Sequence, residues 1–124
     1  MRLLLDTHAL IWTAAEPARL SDRAAAVIRD PDNDVYVSSV SGWEISIKRA
    51  RGRLVFPDID QAMLDALRLI ELPVTLRHAA EVATLPDHHR DPFDRMLVAQ
   101  ARADHLTVVS RDRALDAYAV SLHW

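Results

Sequence analysis

The chain opens with Leu3-Leu4-Leu5 running straight into Asp6-Thr7. An apolar run this short, at the very start, reads as a strand buried on both faces. The acid that ends it then falls at the strand's carboxyl edge. In an open parallel α/β sheet that edge is where ligands bind, so the rest of the sequence is read for other acids that come to meet Asp6.

Strand-like and helix-like segments alternate along the chain. Thr7 to Ala15 reads as a short helix broken at Glu16-Pro17. Ser21 is suited to cap a second helix through Arg29, and Asp30 to Asp34 is a dense turn signal. Val35-Tyr36-Val37 reads as a second strand, followed by a helix over roughly Gly42 to Arg51. Asp58 or Asp60 is placed to cap a fourth helix running to about Ile70, ahead of a short strand Leu72-Pro73-Val74-Thr75. A fifth helix is read over His78 to Thr84 and a polar loop over Asp87-His88-His89-Arg90. Asp91 as N-cap and Pro92 at the first helical position open a helix whose body, Met96 to Ala103, is apolar nearly all round, which predicts a central buried helix. Leu106 to Val109 is the fourth strand. A turn at Ser110-Arg111-Asp112, a short helix ending near Tyr118 and a marginal strand over Ala119 to Leu122 complete the chain. Strands alternating with helices at these intervals predict a parallel sheet with helices on both faces.

Composition narrows the function classes. The 124 residues, half of them hydrophobic, suit one domain with a proper core. There is no cysteine, which excludes disulfides and thiolate metal sites. Two glycines argue against a Gly-rich phosphate loop, and a net charge of -3 gives no global basic field for nucleic acid. The first apolar run is interrupted by Asp6 and is far too short for a secretory or membrane segment, so a soluble cytoplasmic protein, with no membrane partner, is expected.

Four acids then stand out by position. Asp6 follows the first strand, Glu44 lies near the start of the helix after the second, Asp94 is in the first turn of the central helix, and Asp112 follows the fourth strand. Carboxylates packed together do not all stay ionised without a cation. Mg²⁺ and Mn²⁺ take oxygen ligands of this kind, and such a cluster is one way to build a phosphodiester-cleaving site. Each acid also has a plain structural reading. Asp6 and Asp112 could cap the helices they precede, Ser41-Gly42-Trp43-Glu44 matches a capping box, and Asp94 suits the helix dipole.

Taken in order, Leu4-Leu5-Asp6-Thr7-His8, Ser38-Ser39-Val40-Ser41-Gly42-Trp43-Glu44-Ile45, the run His89 to Ala101 with Asp91-Pro92-Phe93-Asp94-Arg95 at its start, and Val109-Ser110-Arg111-Asp112 form a specific set. With these motifs the chain resembles the PIN-domain ribonucleases, in particular the VapC-type toxins of type II toxin–antitoxin modules, over essentially its whole length. The resemblance implies a single PIN domain over residues 1–124, a three-layer α/β/α sandwich around a central parallel sheet of four to five strands. It implies Mg²⁺- or Mn²⁺-dependent cleavage of RNA by a metal-activated water, with Asp6, Glu44, Asp94 and Asp112 as catalytic metal ligands. Thr7 and Ser110 match the family's small hydroxyl positions. Ser41 and Asp91 are assigned supporting places around the ligands; Asp94 rather than Asp91 matches the third acid, because the run Arg95 to Ala101 follows it. Arg95 and Lys48 are candidate substrate contacts. A small VapB-type antitoxin that inserts a basic side chain, and a homodimer, are the partners the resemblance implies.

Other features are read more plainly. No histidine pair has a zinc spacing, and His88-His89 read as solvent-facing. His8 could approach a substrate or simply pack. Trp43 and Trp12 could stack on bases, but both sit at core-like helical positions, so burial is expected. Lys48, Arg49, Arg51 and Arg53 either hold RNA phosphates or form a solvated helix end. Two alternatives to the enzyme stand: a non-catalytic RNA- or protein-binding module of the same fold, and a receiver-type phosphoacceptor domain. The second is disfavoured because the first strand ends in one acid and the third leads into Thr75-Leu76-Arg77.

Overall fold

Leu3, Leu4 and Leu5 are wholly buried, and they face alternate sides of a sheet. They form β1 (Arg2–Leu5), the central strand of a computed structural model that describes residues 1–88 and 91–124. His89 and Arg90, the second half of the expected polar loop, lie outside the described residues. β1 pairs in parallel with β2 (Asp34–Ser38) on one edge and β4 (Thr107–Val109) on the other. β3 (Ile70–Leu72) adds to β2 and β5 (Leu122–His123) to β4, giving five parallel strands in the order β3-β2-β1-β4-β5. The chain builds outward from β1 in one direction, then returns to build the other half. The topological switch point is therefore between β1 and β4. Receiver-type sheets have the order 2-1-3-4-5, so the strand order sets that alternative aside.

Period-two alternation along β1 divides the core. On one face Leu3 and Leu5 pack with Val35 and Val37 against α1 (Thr7–Ala15), α2 (Asp22–Arg29) and α4 (Gln61–Leu67), through Leu10, Trp12, Ala24 and Leu64. On the other, Leu4 and Val108 pack against α6 (Pro92–Asp104), through Leu97, Val98 and Ala101. α3 (Ser39–Ala50) sends Ile45 to the first core and Val40 to the second. These are the three layers expected. Each leucine buried in this way contributes about 1.5–3 kcal/mol. Among the described residues no helix is long and apolar enough to cross a membrane.

Several boundaries differ from the sequence reading, each for a local reason. α3 begins at Ser39 rather than near Gly42, because Ser38 Oγ accepts from the Val40 N–H at 3.0 Å. β3 ends at Leu72 instead of starting there, since Pro73 has no N–H to give a ladder. Thr75 consequently caps α5 (Leu76–Val82), two residues ahead of the expected start. α4 is capped by Asp60 and stops at Leu67, where Arg68 turns left-handed (φ 57°) and the Leu69 N–H returns to Leu64 O at 2.8 Å. The segment after β4 is a 3₁₀ helix, Arg113–Tyr118, and a left-handed Ala119 delays the last strand to Leu122.

α5 is fastened to α6 by one buried histidine. His78 is 1% exposed; its Nδ1 accepts from the Thr75 N–H at 3.1 Å, so its proton sits on Nε2 and points to Asp104 Oδ2 at 2.8 Å. Arg77 also donates to Asp104. Partial burial works against the Asp104 carboxylate, but hydrogen bonds from Arg77 and His78 outweigh it and hold the carboxyl below its ordinary 3.8. Asp104→Ala is expected to cost about 1–3 kcal/mol by orphaning the His78 N–H. Because the folded carboxyl is depressed, the Asp104 contribution is present above pH 3.8 and lost as pH falls through the lower folded value. Denaturant melts of the two proteins should therefore converge as the buffer is taken below that point.

Candidate active site

The strand register decides which residues leave the sheet side by side. Leu5 is level with Val37 on β2 and Val109 on β4. The next residues at the carboxyl edge are Ser38, Asp6 and Ser110. The Asp6 N–H still bonds to Val109 O at 3.2 Å, which ties the acid to the end of β4.

Asp6 is 8% exposed and caps α1, its Oδ1 accepting from the Ala9 N–H at 2.7 Å. Burial pushes its carboxyl above the ordinary 3.8, and the nearby Asp112 pushes the same way; hydrogen bonds from Ser110 and Ala9 and the proximity of His8 only partly offset this. Ser110, itself buried, lies between the two acids: its hydroxyl side chain lowers the Asp6 carboxyl, and its Oγ accepts from the Asp112 N–H at 3.0 Å. Asp112 in turn caps the 3₁₀ helix through Ala114 N–H at 3.0 Å. Asp6 and Asp112 together line a pocket of about 500 Å³ at the switch point, with His8, Trp12, Arg19 and Arg111.

Glu44 approaches from α3. It is buried, and Oε1 accepts from Thr7 Oγ1 at 2.7 Å while Oε2 pairs with Lys48 Nζ at 2.7 Å, one helical turn on. Thr7 Oγ1 also lies 3.0 Å from Ser41 Oγ. One hydroxyl proton cannot serve both, so Thr7 donates to the carboxylate and Ser41 donates to Thr7. Thr7 thus connects the residue beside Asp6 to Glu44. The capping box read at Ser41–Glu44 does not form. Ser38 is the cap, and Ser41 lies inside the helix, buried under Thr7.

Asp94 is half-buried in the first turn of α6, under the Asp91 cap, which accepts from the Phe93 and Asp94 N–H groups at 2.9 and 3.4 Å. It does not line the Asp6–Asp112 pocket. The start of α6 is joined to α3 next door: Phe93 meets Trp43 edge-on at 5.2 Å between ring centroids. Trp43, expected in the core, is 62% exposed. The face of α3 that packs inward carries Val40, Ser41, Glu44 and Ile45, which leaves Trp43 on the outer side. Trp12 is buried as expected. Arg95 donates to Pro86 O at 2.9 Å and reaches Val82 O and Tyr118 Oη at 3.5 Å, so its described contacts run to the end of α5 and the 3₁₀ helix. Among the described residues no three His, Asp or Glu side chains converge into a group that could hold a metal ion. A larger groove of about 580 Å³ between α3 and α4 contains none of the four acids, and its Arg49 is paired with Asp58.

The PIN domain family model matches residues 3–121. The chain belongs to the PIN domain family. Ribonuclease VapC22 of Mycobacterium tuberculosis is 30% identical over 119 residues, covering 94% of this chain and 91% of that protein. Among solved structures, VapBC2 from Rickettsia felis bound to a promoter DNA fragment contains a chain with TM-score 0.71 and 15% identity, covering 98% of this chain and 97% of that one. FitAcB from Neisseria gonorrhoeae gives TM-score 0.65 at 24% identity, with 97% and 95% covered. At these identities the two structures speak for the PIN fold.

Within that fold, Arg19 and Arg111 are pocket residues that the sequence reading did not single out. Arg111 carried a signal, being enclosed by Ser110 and Asp112; Arg19 had none, because only the fold brings the 3₁₀ turn at Pro17–Arg19 to the pocket. The Asp6 environment has a measurable consequence. Its raised carboxyl means the ionised form burdens the fold above the folded pKa and the burden disappears as pH falls. Asp6→Asn keeps the cap and removes the buried charge, so without divalent cation at neutral pH it should melt no lower than the parent, any excess closing toward acid. Asp6→Ala should lose about 0.5–2 kcal/mol with the cap. Thermal melts of the three proteins across pH check both.

Proposed function

We propose that this PIN-domain chain is a divalent-cation-dependent endoribonuclease toxin neutralised by a small antitoxin. The observation that carries this reading is the Asp6–Ser110–Asp112 arrangement at the β1/β4 switch point, where burial and a neighbouring carboxylate both press on Asp6. The likeness to Ribonuclease VapC22 supports an RNA substrate. The VapBC2 and FitAcB neighbours support an antitoxin partner; a homodimer as the working unit is part of the proposal.

The donor set in the pocket is oxygen from two carboxylates, which suits Mg²⁺ or Mn²⁺. Such ions are commonly held by one or two carboxylates with water filling the other positions. Asp6 and Asp112 would be the anchoring ligands, with Glu44 and Asp94 extending the acidic edge from α3 and α6. When bound, the cation supplies a water of lowered pKa and offsets charge on the phosphate oxygens. The protein's own part is orientation. Ala9 N–H and Ser110 fix the Asp6 carboxylate, Ala114 N–H fixes Asp112, and Thr7 with Lys48 fixes Glu44. These bonds hold the acids in place before substrate arrives, which is where such sites gain their rate.

Cleavage of RNA should vanish in excess EDTA and return with Mn²⁺. Asp6→Asn and Asp112→Asn should each lose most of the activity while remaining folded by circular dichroism. Cleavage that persists in excess chelator would overturn the reading in favour of a metal-free enzyme or a contaminant, and a folded parent that binds RNA without cutting it would favour the non-catalytic module. Thr7→Val, which removes the hydroxyl between Glu44 and Ser41, should weaken Mg²⁺ binding about 10–100-fold. Titrating Mg²⁺ against cleavage rate measures this.

A further inference from the structure

The pocket that contains Asp6 and Asp112 is lined by two arginines as well. Trp12 forms its base, and two arginines stand over the indole: Arg19 Cζ at 5.0 Å and Arg111 Cζ at 5.1 Å from the ring centroid. His8, one turn earlier on α1, stacks on the same indole at 5.6 Å and 24°. The two arginines come from opposite parts of the chain. Arg19 ends the 3₁₀ turn after α1, and Arg111 lies at the carboxyl edge of β4, between Ser110 and Asp112.

Two guanidinium groups beside one ring repel each other. A cation–π contact at an exposed site returns only about 0.5–1 kcal/mol. Arg19 has one ion pair, to Glu16 at 3.3 Å, with both side chains more than half exposed, so exchanging it for another anion costs little. Among the described residues Arg111 is in no ion pair. Both planar forks therefore stand at the mouth of the pocket able to take an anion. The carboxylates of the same pocket would repel an anion that came without a cation, and the arginines would repel a cation that came without an anion. A phosphodiester meeting a bound divalent ion satisfies both sets of charges.

We propose that Arg19 and Arg111, seated on Trp12, bind the phosphodiester backbone of the RNA next to the Asp6–Asp112 pair. The proposal rests on the ribonuclease reading for the identity of the polymer and supplies its phosphate-binding residues. Unlike a basic helix face, this pair places its contacts beside the acids themselves.

The test measures RNA binding separately from cleavage. In the full chain carrying Asp6→Asn, with Mg²⁺ present, the affinity for a short labelled single-stranded RNA is followed by anisotropy against salt concentration. Arg19→Gln and Arg111→Gln remove the guanidinium and its charge from over the indole. Each should lower the slope of log affinity against log salt by about 0.7, the value for one single-strand phosphate contact, and both together by about twice that. Arg19→Lys and Arg111→Lys should restore the slope. Arg29→Gln, on α2 and outside the pocket, should leave it unchanged. Melting curves confirm that each variant is folded. Unchanged slopes in both folded Gln variants overturn the proposal, as does an equal loss from Arg29→Gln. Cleavage by the parent chain is scored apart: cleavage with unaltered slopes removes the arginines and keeps the ribonuclease. Lowered slopes without any cleavage keep the phosphate contacts and remove the ribonuclease.

Discussion

A buried strand that ends in a buried carboxylate governs this molecule. β1 is covered on both faces, paired on both edges, and delivers Asp6 to a place where its charge is opposed by desolvation and by Asp112. A carboxylate in that position has to be hydrogen-bonded, and it is, by the first turn of α1, with the buried Ser110 hydroxyl beside it. The bond to α1 fixes its orientation. Structural need and chemical use coincide here: the acid that caps the helix is also the acid aimed at the switch point, and removing only its charge separates the two roles.

The surrounding polar groups form two connected sets. One runs from Ser41 through Thr7 to Glu44 and Lys48, joining α1 to α3. The other runs from Asp6 through Ser110 to Asp112. Thr7, itself buried, sits between Glu44 and Ser41, and Ser110, itself buried, between Asp6 and the Asp112 N–H, so these two hydroxyls cannot turn to water. Trp12 does the corresponding work for the opposite charge. A buried aromatic plane holds His8, Arg19 and Arg111 within one pocket, although they come from three separate segments. Acidic and basic side chains lining one pocket suit a ligand that carries a cation and an anion together.

Legibility in the sequence followed the range of the interactions. Local signals were dependable where one residue type has one job: Ser21 and Asp91 cap their helices, and Leu3 to Leu5 form the buried strand. They misled where two candidates competed for one cap. Ser38 took the cap that Ser41 also matched, α3 began earlier, and Trp43 turned outward to meet Phe93 instead of entering the core. The family motifs named the four acids by position, but spacing along the chain carries no distance between them. Asp6 and Asp112 line one pocket, Glu44 reaches Thr7, and Asp94 stands under its own cap at the start of α6.

By itself the sequence determined the class of the fold, a first strand buried on both faces and the acids at the carboxyl ends, because hydrophobic period and capping chemistry act over a few residues. Only the tertiary structure decided that β4 lies against β1. Strand order depends on how whole helices pack on each face, and no window of sequence contains that. It is this pairing that sets Asp112 beside Asp6 and Arg111 over Trp12, and so turns separate motifs into one site.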